Sequence, residues 1–375
     1  MKTKGAVIMK SPGEWEVVEL DLDGPQRSEL LVRMVASGLC HSDDHLATGD
    51  MQAHMYPMAG GHEGAGVVEE VGPDTDGWEV GDRIVTAFLP SCGRCRWCAS
   101  GWQNLCDSGM HTLTGQRPDG SWRLRLDGQP IAQMSGISTF SQFSTISTLS
   151  AIRCPDDVPL ETACLCGCGV GTGWGSAVNS AEVRPGDVVI VMGVGGIGVS
   201  AVQGAAHCGA SVVVAVDPVE LKRTTALSLG ATHVAATMAE ATDIVAPLTN
   251  GQGADSCIIA VGVTDGDHVA QGVDVIRKGG TCVVTGVGRT ADVGIPVSPT
   301  LLTLFQKRIQ GSLFGAMSPS KDIALLLELY RQGRLRLDEL VTQTYSLDQI
   351  NDGYADMHAG LNVRGVLVHD RGEQP

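Results

Sequence analysis

The chain is 375 residues long, enough for two or more domains with large cores. Hydrophobic residues make up 43% and charged residues 18%, the balance of a globular enzyme and not of a disordered chain. A formal net charge of -16 disfavours nucleic-acid or anionic-membrane partners, and the N-terminus runs into a strand-like pattern without a signal-peptide core, so a cytoplasmic protein is expected.

Residues 5 to about 150 carry short alternating or β-branched runs separated by Gly, Pro and Asp, which predicts a β-rich, loop-rich region. Glu14–Leu20, Leu30–Ala36, Gly66–Val71 and Asp82–Ala87 are such runs. Between them lies Cys40-His41-Ser42-Asp43-Asp44-His45, read as a loop, and beyond it His62-Glu63 inside a glycine-rich run. A thiolate with an imidazole is what a borderline-soft divalent metal such as zinc selects, and two ligands leave its site incomplete. Further on, Cys92, Cys95 and Cys98 repeat at CxxC spacing, and Cys106 comes after seven more residues. Four thiolates so close can fill all positions of one tetrahedral ion, which predicts a structural zinc with no room for substrate.

Small residues dominate Cys164-Leu-Cys166-Gly-Cys168-Gly-Val-Gly-Thr-Gly-Trp. Val188–Met192 is then a continuous apolar run, as for a strand buried on both faces. It leads into Gly193-Val-Gly195-Gly196-Ile-Gly198 and a helix-compatible stretch to Cys208. A second strand, Ser211–Val216, ends at Asp217, nineteen positions beyond Gly198. Strand, glycine turn, helix and acidic residue together form a dinucleotide-binding fingerprint. The glycines admit a pyrophosphate to the helix N-terminus, and the Asp217 carboxylate suits ribose hydroxyls while repelling a 2′-phosphate, which predicts NAD over NADP. Lys222 and Arg223 follow closely, where they either assist at the ribose or form a solvated helix face. Helical segments at Glu220–Leu229, Met238–Leu248 and His268–Arg277 alternate with strands at Cys257–Val261 and Thr281–Thr285, predicting a doubly wound parallel sheet. Two amphipathic helices, Ile323–Tyr330 and Leu347–His358, and a strand at Val363–His369 close the chain. They are too short to build a core alone and are expected to rejoin the first domain.

The GHEGAG run, the CxxCxxC(x7)C loop, the GCGxGTG segment and the GVGGIG turn, in that order, resemble the zinc-dependent medium-chain alcohol dehydrogenases. Met1-Lys-Thr-Lys-Gly-Ala6, Pro90-Ser-Cys-Gly93, the stretch Leu304–Gly315 and Gln349-Ile-Asn-Asp-Gly-Tyr354 resemble the actinobacterial subgroup assayed with N,N-dimethyl-4-nitrosoaniline. These are nicotinoproteins, which keep NAD bound and pass electrons to an external carrier such as mycofactocin.

The resemblance implies an α/β protein with a GroES-like catalytic domain at 1–169 and 313–375 and a Rossmann NAD-binding domain at 170–312. It implies two zinc ions per chain. Cys168 becomes the third ligand of a catalytic zinc with Cys40 and His62, although Cys164 and Cys166 compete on spacing alone. Glu63 is then a transient ligand, a charge acting on the metal, or one half of a salt bridge, and Asp43 orients His62. A hydroxyl at Ser42 starts a proton relay through the cofactor ribose to His45. His41 stands where many relatives carry an arginine that contacts the cofactor pyrophosphate, so it lacks that residue's permanent charge. Arg364 matches a second phosphate-contacting arginine. Asp44 is left without a role. The substrate is a small alcohol or aldehyde, and a homodimer or homotetramer pairs through the edge near Ile309–Phe314. Other readings are a formaldehyde dehydrogenase requiring a glutathione or mycothiol adduct, or a non-catalytic zinc- or dinucleotide-binding protein.

Overall fold

The computed structural model describes residues 1–117 and 120–370. The chain divides into two compact units, Met1–Cys168 with Ser318–Pro375, and Gly169–Met317.

In the first unit, Lys2–Ile8, Trp15–Leu22, Leu124–Leu126, Gln129–Gln133 and Met58–Ala59 close into a small barrel. A seven-stranded sheet runs Ala151–Arg153, Arg83–Thr86, Gly64–Val71, Glu29–Gly38, Arg364–Val368, Val341–Tyr345, with Phe143–Ser147 also paired to Glu29–Gly38. Alternation in these strands turns Leu30, Val32, Met34, Val68, Ile84 and Ile146 into one shared core. Strand register then decides which polar residues meet. Ser37 pairs with Gly64, and Val366 pairs with Gly38. The residues just beyond those positions, Leu39–Cys40, His62–Glu63 and Arg364, therefore emerge side by side although they are far apart in sequence.

The second unit is a parallel sheet in the order His233–Ala235, Val212–Val216, Val188–Met192, Ala254–Ile259, Ile276–Val284, Arg308–Gly311. Val188–Met192 is buried along its whole length, as its uninterrupted apolar run requires. Helices at Gly196–His207, Glu220–Ser228, Met238–Leu248 and Gly266–Val275 connect the strands. Among the described residues no helix is long and apolar enough to cross a membrane.

The structure corrects one local expectation and adds an element that the sequence reading left unassigned. Cys40–His45 is not a loop: Cys40 caps the helix His41–Thr48 in an extended conformation, and Asp43 and Asp44 in its first turn suit the positive end of the helix dipole. Gly169–Gly175, glycine at every second position, is also helical. Glycine disfavours helix by roughly 1 kcal/mol per residue, so tertiary packing must override propensity here. A side chain at Gly173 would run into the Ile197 carbonyl, and one at Gly204 would meet the Trp174 carbonyl at 2.9 Å. The two helices approach each other closely because both contact faces lack side chains.

Candidate active site

Cys40, His62, Glu63 and Cys168 each place one ligand atom within 4.8 Å of the others, and all four residues are buried. Cys40 comes from the end of the central strand, His62 and Glu63 from the approach to its neighbour, and Cys168 from the turn after Cys164–Gly167. His62 Nδ1 lies 2.9 Å from Asp43 Oδ2, and Asp43 Oδ1 accepts a 2.8 Å hydrogen bond from the Gly61 N–H. Neither buried nitrogen of His62 completes a hydrogen bond, Nδ1 standing at ion-pair distance from Asp43 and Nε2 having no partner. An imidazole held through one nitrogen, with the other idle beside two thiols, is the donor set a zinc ion completes. Cys164 and Cys166 are wholly buried but stand outside this group, and the Cys164 thiol lies 3.3 Å from the Glu161 carbonyl.

The electrostatics of these residues set one lowered thiol against one raised thiol. The Cys40 thiol is held well below its ordinary range by its contact with Cys168 and by His62, against the opposing effect of burial. Cys168 is pushed up by that same contact and by burial. Burial lowers His62, yet the charges of Asp43 and Cys40 outweigh it and leave the imidazole well above its usual value. Asp43 moves up, because burial outweighs the pull of His62 and the Gly61 N–H. Glu63 is raised to about 7 by burial, with Arg364 pulling it back. The Arg364 guanidinium, itself buried, reaches the Glu63 carboxylate across 301 residues of sequence. Of the three roles open to Glu63, the salt bridge is the one its contacts display.

The helix His41–Thr48 carries the other polar residues. Ser42 Oγ is 3.8 Å from Cys40 Sγ. His45 is 2% exposed, and its Nδ1 lies 3.5 Å from Asp50 Oδ2. No motif in the sequence marks Asp50; the one local signal is the glycine ending the helix just before it, which turns the chain back. Asp44 contacts His358 Nε2 at 2.8 Å, a helix-to-helix tie. His41 is half-buried, its ring centroid 6.4 Å from that of His45.

Cys92, Cys95, Cys98 and Cys106 form a second group, again within 4.8 Å of one another. The Cys92 thiol is brought down to about 6 by the backbone N–H groups of Arg94 and Cys95, whereas burial sends Cys98 up to about 12. Trp97 and Trp102 stand exposed on this lobe.

In the second unit, Gly193 adopts φ +83°, and a side chain on Gly198 would strike the Gly193 carbonyl, so both positions require glycine. At Gly195, the N-cap of the helix Gly196–His207, an added Cβ would meet nothing, which leaves room at the helix N-terminus. Asp217 is buried, with Oδ2 accepting from the Val194 N–H at 3.0 Å and Oδ1 from the Val219 N–H at 2.9 Å. The Arg223 guanidinium donates to the Asp217 and Pro218 carbonyls at 2.7 and 2.8 Å, and Lys222 is half-buried.

These two units, with these constellations, define a zinc-binding dehydrogenase. Residues 26–156 match the alcohol dehydrogenase GroES-like domain and residues 196–332 the zinc-binding dehydrogenase domain, and the chain belongs to this alcohol dehydrogenase family of oxidoreductases acting on CH–OH groups. It is 49% identical over 369 residues to the NDMA-dependent alcohol dehydrogenase of Amycolatopsis methanolica, covering 98% of this chain and 99% of that one. Alcohol dehydrogenase B of Mycobacterium tuberculosis is 47% identical, covering 98% of each chain. Among solved structures, benzyl alcohol dehydrogenase from Acinetobacter calcoaceticus superposes with a TM-score of 0.90 at 29% identity, covering 98% of this chain and 99% of that one.

Proposed function

We propose that the protein oxidises an alcohol to an aldehyde or ketone with NAD that stays bound and is reoxidised by an external carrier. The observation that carries this reading is the convergence of Cys40, His62 and Cys168 about the idle His62 Nε2, with the Ser42 hydroxyl beside Cys40. Bound there, zinc supplies a Lewis acid that lowers the pKa of an alcohol hydroxyl toward neutrality, and NAD supplies the hydride acceptor.

The chain's own residues do the rest. Cys40 and Cys168 provide thiolate charge, and Asp43 fixes the ring and tautomer of His62. Ser42 Oγ takes the hydroxyl proton, and His45 receives it, since an imidazole exchanges protons near physiological pH. Glu63 and Arg364 set the charge beneath the ligands. Gly193, Gly195, Gly196 and Gly198 admit the pyrophosphate to the helix N-terminus, and Asp217 serves the ribose. Cys92, Cys95, Cys98 and Cys106 hold a second, structural zinc with no vacant position. The strand Arg308–Gly311, paired on one side only within its sheet, would carry the subunit contact.

Metal analysis and an absorbance spectrum of the purified, desalted protein test the reading together. Two zinc ions per chain and nicotinamide that survives gel filtration are expected. Cofactor lost on desalting, with activity restored only by added NAD, would remove the bound-cofactor part and leave an ordinary NAD-linked dehydrogenase.

A further inference from the structure

A buried base that takes up a proton in every turnover must also lose one. His45 is 2% exposed, so water does not reach it freely. Its Nδ1 makes no hydrogen bond, and Asp50 Oδ2 stands 3.5 Å away on a side chain that is 21% exposed. One face of this carboxylate meets the histidine and another meets solvent. We propose that Asp50 is the proton-exit group of the alcohol oxidation, a positioning carboxylate that acts through His45; this rests on the reading of His45 as proton acceptor.

The local chain is built to hold the pair together. The helix ends at Gly49 with φ +91°, and the N–H groups of Gly49 and Met51 both donate to the His45 carbonyl, at 3.1 and 3.0 Å. That turn folds Asp50 back over the residue it serves. Thr48 Oγ1 donates to the same Oδ2 at 3.2 Å and restrains the carboxylate.

Other charged and titratable groups nearby are committed or more distant. Asp43 faces His62, and Asp44 faces His358 from the helix Ile350–His358. The Tyr56 phenol donates to the Leu46 carbonyl at 3.5 Å, and Tyr354 is buried with its phenol pushed well up by burial, hence neutral. His41 shares the helix at 6.4 Å between ring centroids. Among the described residues, Asp50 is the only carboxylate within ion-pair distance of His45.

Atoms and charges balance in this step. A proton arrives at Nε2 and the ring becomes imidazolium. Nδ1 releases its proton to the Asp50 carboxylate, which passes it to water, and a flip of the ring about Cβ–Cγ turns the bare nitrogen toward the incoming proton before the next turnover. No electron moves, and no co-reactant beyond water is needed.

The test is Asp50→Asn in the holoenzyme, assayed with N,N-dimethyl-4-nitrosoaniline as acceptor in dilute non-nucleophilic buffer. General-base assistance is worth 10²–10⁴-fold in full, and a loss of about tenfold in kcat is expected because His45 remains. Added imidazole should restore most of it. Asp50→Glu should keep the rate near wild type. An Asp50→Asn enzyme with unchanged kcat and buffer response would overturn the proposal, as would a slowed enzyme that imidazole does not restore. If Asp50→Asn does not fold, Asp50→Ser is read by the same two criteria. His45→Gln separates the two levels: if it turns over like wild type, the reading of His45 itself fails, whereas a slow His45→Gln beside an unaltered Asp50→Asn sinks only the exit role.

Discussion

The two cysteine-rich groups of the first unit look alike in chemistry and differ in construction. The lobe takes its four thiols from fifteen consecutive positions, Cys92 to Cys106, and two of the four are only half-buried. The proposed catalytic group draws on positions 40, 62 and 168, is buried throughout, and rests on Arg364 from the last strand. A local group with four like ligands closes around an ion and leaves it nothing to do. A dispersed group with three strong ligands and a paired carboxylate keeps a position for chemistry, and it needs the whole sheet to be correct before its geometry exists.

The sharpest way to break this contrast is to exchange one cysteine in each group. Cys168→Ser should lower kcat about a thousandfold, since Lewis-acid stabilisation is worth several kcal/mol and about 1.4 kcal/mol is tenfold. The lobe metal should stay, as metal analysis would report. Cys98→Ser should do the reverse, losing the lobe ion and lowering the melting temperature while kcat per folded molecule stays within about tenfold of wild type. Equal loss of turnover in both variants would mean that the lobe is not merely structural.

Asp43→Asn is expected to weaken catalytic metal retention or turnover by about 10–100-fold, the usual effect of removing the partner of a ligating imidazole. A competition titration with a zinc-binding dye reads this directly, and an affinity equal to wild type would show that His62 needs no support from Asp43.

The smallest expected effect is a difference in acid sensitivity. The Cys92 thiol sits at about 6, so its thiolate persists above that pH and takes up a proton as the pH falls through it. Because a ligand must be deprotonated to bind, the lobe should yield its ion to a mild chelator more readily as the pH falls. The catalytic ion, buried from solvent, should leave in a separate phase. A single release phase for both ions would deny that the two groups are independent.

Much of the molecule is legible in the chain, for reasons that differ from element to element. Val188–Met192 and the glycine turn after it can be read because a buried parallel strand is apolar without interruption and Gly193 has to take a positive φ. The lobe can be read because its spacing is its geometry. Spacing alone does not select Cys168 over Cys164 and Cys166; the family resemblance does, and the structure groups it with Cys40 and His62. The helix Gly169–Gly175 is hidden because its glycines serve helix–helix contact, which no local propensity reports. The Glu63–Arg364 pair is hidden because strand register, not sequence distance, makes them neighbours. Asp50 escapes because an aspartate after a helix-ending glycine looks like any turn.

The Arg364 contact also bears on the order in which the molecule is made. The four cysteines of the lobe are all present once residue 106 has been made, so an ion could meet its full ligand set while the rest of the chain is still on the ribosome. The Glu63 carboxylate, by contrast, stays without its counter-charge until residue 364 has been synthesised and its strand has docked. A reactive metal would then be housed last, in a molecule already finished, and a truncated product would carry the inert ion without an operating active centre.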